Sequence, residues 1–329
     1  MKDILKELLT KPKPPKRQPM KRGRPKGLLA ELCNQYVRDL PDVDDEVLLE
    51  YWQFLAPPVF QAFRGSLGGP RHYQVWRPRP SGQMCTRLEG IKKLGLYVPK
   101  DTAHQAKFAM GHIYEAWAKT ICLLAGARIH SFNMNVTIPI PGTCIVCNGR
   151  EKDEDGVPIP GTERVGKCTC GEIDCLLDVG DDTWLVDVKS ISGNGFKYIS
   201  ANYDDKWCYF KQQRCYAESE ELKDTIKGGV LLFVSKDTAA DFKEVYVPMK
   251  DGYLDDWFKH CEDLWHCTDT NTLPPKPNWA VIRDKKFKKE GITAEVFEDV
   301  RCNLCDAKET CHGGKWEQRE GSNEWFRRK

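Results

Sequence analysis

Asp174, Asp187 and Lys189 lie within the segment Gly171–Ser190, GEIDCLLDVGDDTWLVDVKS, whose pattern brings them together. Residues Ile173–Val179 are mostly apolar or β-prone. Gly180, Asp181 and Asp182 carry turn chemistry, and Trp184–Val188 resumes the run, so two short strands joined as a hairpin are predicted. Side chains alternate across a strand, which puts Asp187 and Lys189 on one face. A loop of two or four residues puts Asp174 on that face as well. Carboxylates are hard oxygen ligands of the kind magnesium takes, one or two at a time, beside phosphate and water. A lysine next to them can orient or deprotonate an attacking water, or balance charge on a phosphate. An exposed hairpin with a solvated charged face fits the same spacing.

The chain also has 15 cysteines. In a reducing compartment, clustered cysteines point to metal or cluster ligation rather than to disulfides. Cys302-x-x-Cys305 is followed after five residues by Cys311. Three close thiolates need a fourth ligand for a closed site. Iron–sulfur clusters take four thiolates; zinc is the rival, and His312 could stand in for a cysteine. Two further close pairs, Cys144-x-x-Cys147 and Cys168-x-Cys170, flank a polar loop and suit a tetrahedral structural zinc. Reduced, unligated thiols fit that spacing too. Cys175 falls within the hairpin and reads as packing. Cys85, at the start of a helical pattern, reads by itself as packing also.

The elements that must position these residues follow from periodicity. Residues 101–125 predict a helix, capped by Asp101 or Thr102 and ended by Gly126. Its predicted buried stripe is Met110, Ile113, Tyr114, Trp117, Ile121 and Leu124. His112 and Glu115 lie one turn apart, away from the centre of that stripe. Val136–Ile140 reads as a strand. Tyr209–Glu221 reads as a helix on which Gln212 and Tyr216 share a face. Gly228–Val234 is a buried strand with Lys243–Val247 as its hairpin partner, and Tyr253–Cys267 is a helix. Residues 28–64 are helical in pattern and 65–82 are loop. Residues 1–27 are rich in proline, lysine and arginine, cannot bury a core, and are expected to be disordered. Within them KRGRPKG, residues 21–27, resembles an AT-hook, with Arg22, Arg24 and Lys26 as minor-groove DNA contacts. A generic basic tail is the alternative.

A length of 329 residues fits one large domain or two smaller ones, and a formal net charge of +2 names no partner. No apolar run reaches membrane-spanning length, and the N-terminus lacks the apolar core of a signal peptide. The expectation is a soluble, intracellular protein with no membrane partner, cytoplasmic or nucleoid-associated.

The order of these features resembles the PD-(D/E)XK nuclease superfamily. The similarity is greatest to its RecB-like iron–sulfur exonuclease branch, which includes the AddB nuclease domain and the CRISPR-adaptation nucleases. It is carried by Cys85, Gly111 with Glu115, the G-x-x-D of Gly171–Asp174, the D-x-K of Asp187–Lys189, the Q-x-x-x-Y of Gln212–Tyr216, and Cys302, Cys305 and Cys311. His112 departs from the pattern, because iron–sulfur members usually place histidine at the position of Glu115.

The resemblance spans residues 83–315. It implies an α/β, restriction-endonuclease-like mixed β-sheet flanked by helices, with a C-terminal cysteine cluster and the disordered basic tail. A helical region at 28–82 would precede the nuclease domain, a cysteine-rich insertion would occupy 141–170, and 316–329 would be a tail. Asp174, Asp187 and Glu115 (or His112) would hold Mg2+ or Mn2+, with the Val188 carbonyl as a further ligand. Lys189 would assist the water, and Gln212 and Tyr216 would lie near the DNA strand. Cys85 would complete a 4Fe-4S cluster with Cys302, Cys305 and Cys311; the Zn2+ site at Cys144, Cys147, Cys168 and Cys170 rests on their spacing alone. The implied activity is metal-dependent DNA exonuclease cleavage in recombination, repair or end processing, with DNA and a recombination or helicase protein as partners. The alternatives are a non-catalytic DNA-binding module and a nuclease subunit of a DNA integration or adaptation complex.

Overall fold

The hairpin lies within a five-stranded sheet. In the computed structural model the described residues are 28–39, 43–49, 51, 53, 56, 60, 84–96, 102–140, 167–200, 202–205, 207–247, 253–287, 292–305, 307–319 and 324–328. The chain divides into two units: Met1–Pro78 with Thr102–Leu254, and Arg79–Asp101 with Asp255–Lys329.

In the first unit the elements are α1 (Leu28–Asp39), α3 (Thr102–Leu124), β1 (Arg128–Pro139), β2 (Lys167–Val179), β3 (Asp182–Ile191), α4 (Gly193–Phe196), α5 (Tyr209–Ala217), β4 (Gly228–Ser235) and β5 (Phe242–Val247). The label α2 belongs to Thr86–Lys93 of the second unit. The sheet order is β1-β2-β3-β4-β5. All pairs are antiparallel except β3 with β4, so the fold is α/β with a mixed sheet. The parallel step is bridged by a crossover that carries α4 and α5, as parallel neighbours require.

The β2–β3 turn is two residues long, because Val179 pairs with Asp182. Gly180 takes φ 69°, the positive angle that lets a two-residue loop follow the strand twist. Gly171 has a different reason to lack a side chain. A Cβ there would stand 2.9 Å from Val136 Cγ2 and 3.0 Å from the Val136 carbonyl oxygen, where β1 crosses close to β2.

Alternation sorts the sheet into two faces. Cys175, Leu177, Val179, Trp184, Val186 and Val188 pack with Leu29, Cys33, Ala118, Ile121 and Cys122 of α1 and α3. Leu231, Phe233, Val245 and Val247 pack on the other face, with Ile199 and with Tyr209 and Phe210 of α5. β5, at the edge of the sheet, is covered by α1. Asn34 accepts from the Phe242 N–H and donates to its carbonyl, both at 2.8 Å. Glu244 Oε2 accepts from the N–H groups of Leu29 and Ala30 at 2.6 and 2.7 Å, a carboxylate placed where the helix dipole favours one.

The stripe expected on the long helix needs correction. Met110, Ile113 and Trp117 are 45%, 39% and 41% exposed. The buried face is Ala116, Ala118, Lys119, Thr120, Ile121, Cys122 and Leu123. Alanines let the helix backbone approach the sheet closely, so the large residues are displaced to its flank.

The second unit holds α2, α6 (Tyr253–Thr270), β6 (Ile282–Phe287), β7 (Ile292–Phe297), α7 (Val300–Asn303), α8 (Lys308–His312), β8 (Glu317–Gln318) and β9 (Trp325–Arg328). Its strands form a second sheet in the order β6-β7-β9-β8. Residues 316–329, expected as a tail, thus supply two paired strands. Phe297 stacks on Trp316 with ring centroids 4.1 Å apart. Among the described residues no helix is long and apolar enough to cross a membrane.

Candidate functional site

The hairpin register is Cys175 opposite Val186, and its continuation sets Asp174 opposite Asp187. The two carboxyl groups lie close enough to interact directly, by charge and by a side-chain hydrogen bond. Lys189 Nζ donates to Asp187 Oδ1 at 2.7 Å and lies 4.9 Å above the Tyr209 ring. The other oxygen, Asp187 Oδ2, is buried. Val188, between them, turns its side chain into the opposite core.

The helix α3 adds a third carboxylate and a second ammonium. Glu115 pairs with Lys119 one turn later, and its Oε2 lies 3.6 Å from His112 Nδ1. Lys119 Nζ also donates to the Asp174 carbonyl oxygen at 3.1 Å and sits 5.1 Å above the Phe132 ring. Glu115, Asp174, Asp187, Lys119 and Lys189 therefore form one connected electrostatic group. Gly111 is on the same helix, and a Cβ there would meet Ser190 Oγ only at ordinary contact distance, 3.9 Å.

The electrostatics are uneven. Desolvation by the surrounding protein pushes the Asp174 carboxyl well above the usual carboxylate range, and the charges of Glu115 and Asp187 act the same way. Burial also acts to raise Glu115, but His112 and Lys119 outweigh it and hold that carboxyl at about 2. Burial acts to lower both lysines. It is outweighed by Glu115 for Lys119, and by Asp187 and Asp174 for Lys189, so both ammonium groups are held above the ordinary lysine value. Carboxylates crowded together in a buried site, as Asp174 is with Glu115 and Asp187, are what a bound divalent cation would relieve. The donor set, all oxygen, suits Mg2+ or Mn2+.

On α5, Gln212 and Tyr216 take the expected one-turn spacing. Gln212 Oε1 is buried without a hydrogen-bond partner, and Tyr216 is buried. Gln213 fastens the helix by donating to the Val230 carbonyl at 2.8 Å. Asp205 accepts from the N–H groups of Tyr209 and Phe210 at 2.7 and 2.8 Å, so the first turn of α5 starts beside Lys189 on a carboxylate cap.

The second unit gathers the other predicted ligands. Cys85, Cys302, Cys305 and Cys311 line one pocket together with His312, Arg301 and Lys308. Burial pushes the Cys85 thiol up to about 11, with Cys305 and Cys311 adding to the rise. Burial, then the charges of Cys305 and Cys85, puts Cys302 at about 12. The four sulfurs feel one another, and the set suits thiolate ligation. His312 is held at about 4 by burial and by Lys276 and Arg87. It is neutral at ordinary pH, which leaves an imidazole nitrogen available as a ligand. The C-terminal cysteine cluster expected from the sequence is a shared lining here, without ligating geometry. Among the described residues no three His, Cys, Asp or Glu side chains are drawn together as they stand into a metal-holding group.

Cys144, Cys147, Arg22, Arg24 and Lys26 lie outside the described residues, and Cys168 and Cys170 are described only as backbone positions of β2. Cys175 packs in the core, fully buried, as its place in the hairpin predicts. Lys119 was not foreseen from the sequence. The signal available for it was the i, i+4 spacing from Glu115, with the glutamate N-terminal to the lysine.

No protein-family model matches the chain. No curated protein matches it. Among solved structures, the crystal structure of SSO0001 is similar at 13% identity and a TM-score of 0.38, with 79% of this chain and 95% of that chain covered. That level of likeness leaves the site to be argued from its own residues.

Proposed function

We propose that this chain is a metal-dependent DNA nuclease of the RecB-like PD-(D/E)XK type, with a restriction-endonuclease-like core, and that it acts as an exonuclease. The observation that supports this reading most is the state of Asp187. One of its oxygens is taken by Lys189 at 2.7 Å, and the other is buried, with the Asp174 carboxyl crowded against the same group.

In this reading Asp174 and Asp187 would hold Mg2+ or Mn2+, with Glu115 or His112 and the Val188 carbonyl as further ligands. Such an ion, when bound, lowers the pKa of water and offsets charge on the scissile phosphate. Lys189 keeps Asp187 in one orientation and presents a fixed positive charge to the attacking water and the phosphate. Lys119 holds Glu115 and the Asp174 backbone in place. Tyr209 caps the Lys189 ammonium, and Gln212, whose side-chain oxygen is buried and unpartnered, would lie near the DNA strand.

The cysteine pocket extends the proposal. Cys85, Cys302, Cys305 and Cys311 would carry a 4Fe-4S cluster, with zinc as the competing occupant. The basic segment at 1–27 would anchor duplex DNA, and a recombination or helicase protein would supply the DNA ends.

The test uses end-labelled linear and closed circular DNA with purified protein, with and without magnesium. Magnesium-dependent loss of linear but not circular substrate is expected. Binding without cleavage of either substrate would replace the nuclease by a non-catalytic DNA-binding module.

A further inference from the structure

Lys308 is 6% exposed, at the first position of α8. Its ammonium rests 4.0 Å above the Trp325 ring. Among the described residues no carboxylate lies within ion-pair distance of it, and it belongs to none of the ion pairs of this unit. A buried cation without an anion is costly, and the usual outcomes are loss of the proton or acquisition of a counter-charge.

The surroundings of Lys308 name the counter-charge. It lines the pocket that Cys85, Cys302, Cys305 and Cys311 also line. The other cation of that lining, Arg301, is already neutralised: it donates twice to Asp299, at 2.8 Å each, and stacks 3.9 Å from the Trp279 ring. Protonated thiols are neutral and give Lys308 nothing. Four thiolates around a metal centre are different. A 4Fe-4S centre and a zinc centre, each with four cysteine thiolates, both carry a net charge of about −2. Either would place an anion beside the one buried ammonium whose charge is otherwise unmet among the described residues of the pocket.

We propose that Lys308 is the counter-cation of an anionic metal–thiolate centre held by Cys85, Cys302, Cys305 and Cys311, and that it sets how tightly that centre is retained. This rests on the cysteine assignment above. Lys308 touches no DNA and no reacting atom in this account; it is a positioning residue acting through charge. Where the centre is iron–sulfur, a nearby positive charge favours the more negative, reduced state, so Lys308 also raises its reduction potential.

The experiment compares the anaerobically purified full chain with its K308M and K308R variants. Iron, sulfide and zinc per chain are measured first, and separate the iron–sulfur from the zinc occupant. Release of the centre to a chelator is then timed, and for iron the midpoint potential is taken by dye-mediated titration. K308M is expected to release the centre about 10- to 100-fold faster, the range for partners that support metal ligands. K308R is expected to behave as the parent, and an iron centre in K308M to titrate at a lower potential. The metal-stripped chains supply a reading of opposite sign. K308M without metal is expected to melt no lower than the stripped parent, because a buried charge without a partner has been removed. A parent chain with neither iron–sulfide nor thiolate-bound zinc would overturn the cysteine assignment, and this inference with it. A loaded parent with unchanged release and potential in K308M would overturn the role of Lys308 alone. A stripped K308M chain that melts lower or fails to fold would do the same, by showing that the side chain is a packing element.

Discussion

Lys119 pairs with Glu115 one helical turn before it, and its ammonium also donates to the Asp174 carbonyl oxygen at 3.1 Å. One buried side chain thereby joins the long helix to the hairpin that carries both aspartates.

Replacing Lys119 with methionine keeps the stem and removes the charge. Glu115 then loses its main cationic partner, and the Asp174 carbonyl loses a donor. The expected loss is about 3–5 kcal/mol for breaking a buried pair, toward the low end because the Glu115 side chain retains 23% exposure. Urea unfolding of K119M beside the parent measures it. The deficit should be largest in EDTA and shrink in magnesium, because a bound cation replaces the missing charge. An equal deficit with and without magnesium would separate Lys119 from the carboxylate group.

The carboxylates predict opposite pH dependences. Glu115 is held at about 2 against its ordinary value of 4.5, so its contribution to stability is present above 4.5 and lost as pH falls toward 2. Asp174 is shifted upward, so the folded chain keeps its proton longer than the unfolded chain does. Its effect is fully favourable below the ordinary value of 3.8 and is lost as pH rises through the raised folded value. The variant D174N should therefore be more stable than the parent at neutral pH in EDTA, with the gap closing as pH is lowered toward 4. Chemical denaturation across that range checks it. A D174N chain less stable than the parent at neutral pH would contradict the crowding described for Asp174.

Much of the hairpin could be read from the sequence because its determinants are local. Period-two alternation and a Gly-Asp turn placed Asp174, Asp187 and Lys189 on one face, and one-turn spacing placed Gln212 and Tyr216 on one helix. The long helix is legible in its extent and in part of its stripe, Tyr114 and Ile121, but not in the rest. Met110, Ile113 and Trp117 have core-like size and spacing, yet they lie on its flank. Trp117 meets its hydrogen-bonding need at the surface, by donating to the Ala239 carbonyl at 2.7 Å. Lys119 was missed because a lysine amid apolar residues is ordinarily exposed; its burial depends on a carbonyl far off in sequence. The second sheet was not foreseen either. Its β7 pairs with β9, so the strand pattern of Ile292–Phe297 gains a partner only from residues 325–328. Nor does local sequence indicate that Arg79–Asp101 belongs with Asp255–Lys329.

Gly171 begins the segment that carries Asp174, and the space for it is fixed by the neighbouring strand. In G171A the added methyl would stand 2.9 Å from Val136 Cγ2 and 3.0 Å from a backbone oxygen that cannot swing away. A loss of about 1–3 kcal/mol is expected, as for other overpacked sites. Urea unfolding of G171A gives the number. Parent-like stability would mean that β1 can move aside without cost.

The most direct measurement of the central claim is single-turnover cleavage of end-labelled linear DNA in magnesium by the parent, D187A and K189A. Circular dichroism of each chain confirms that it is folded. Cleavage by the parent that EDTA abolishes is expected, with a loss of about 100-fold or more in both variants, the scale of removing an essential charge or proton-handling group. Variants that cleave as fast as the parent, or a folded parent that leaves the DNA intact in magnesium, would contradict it.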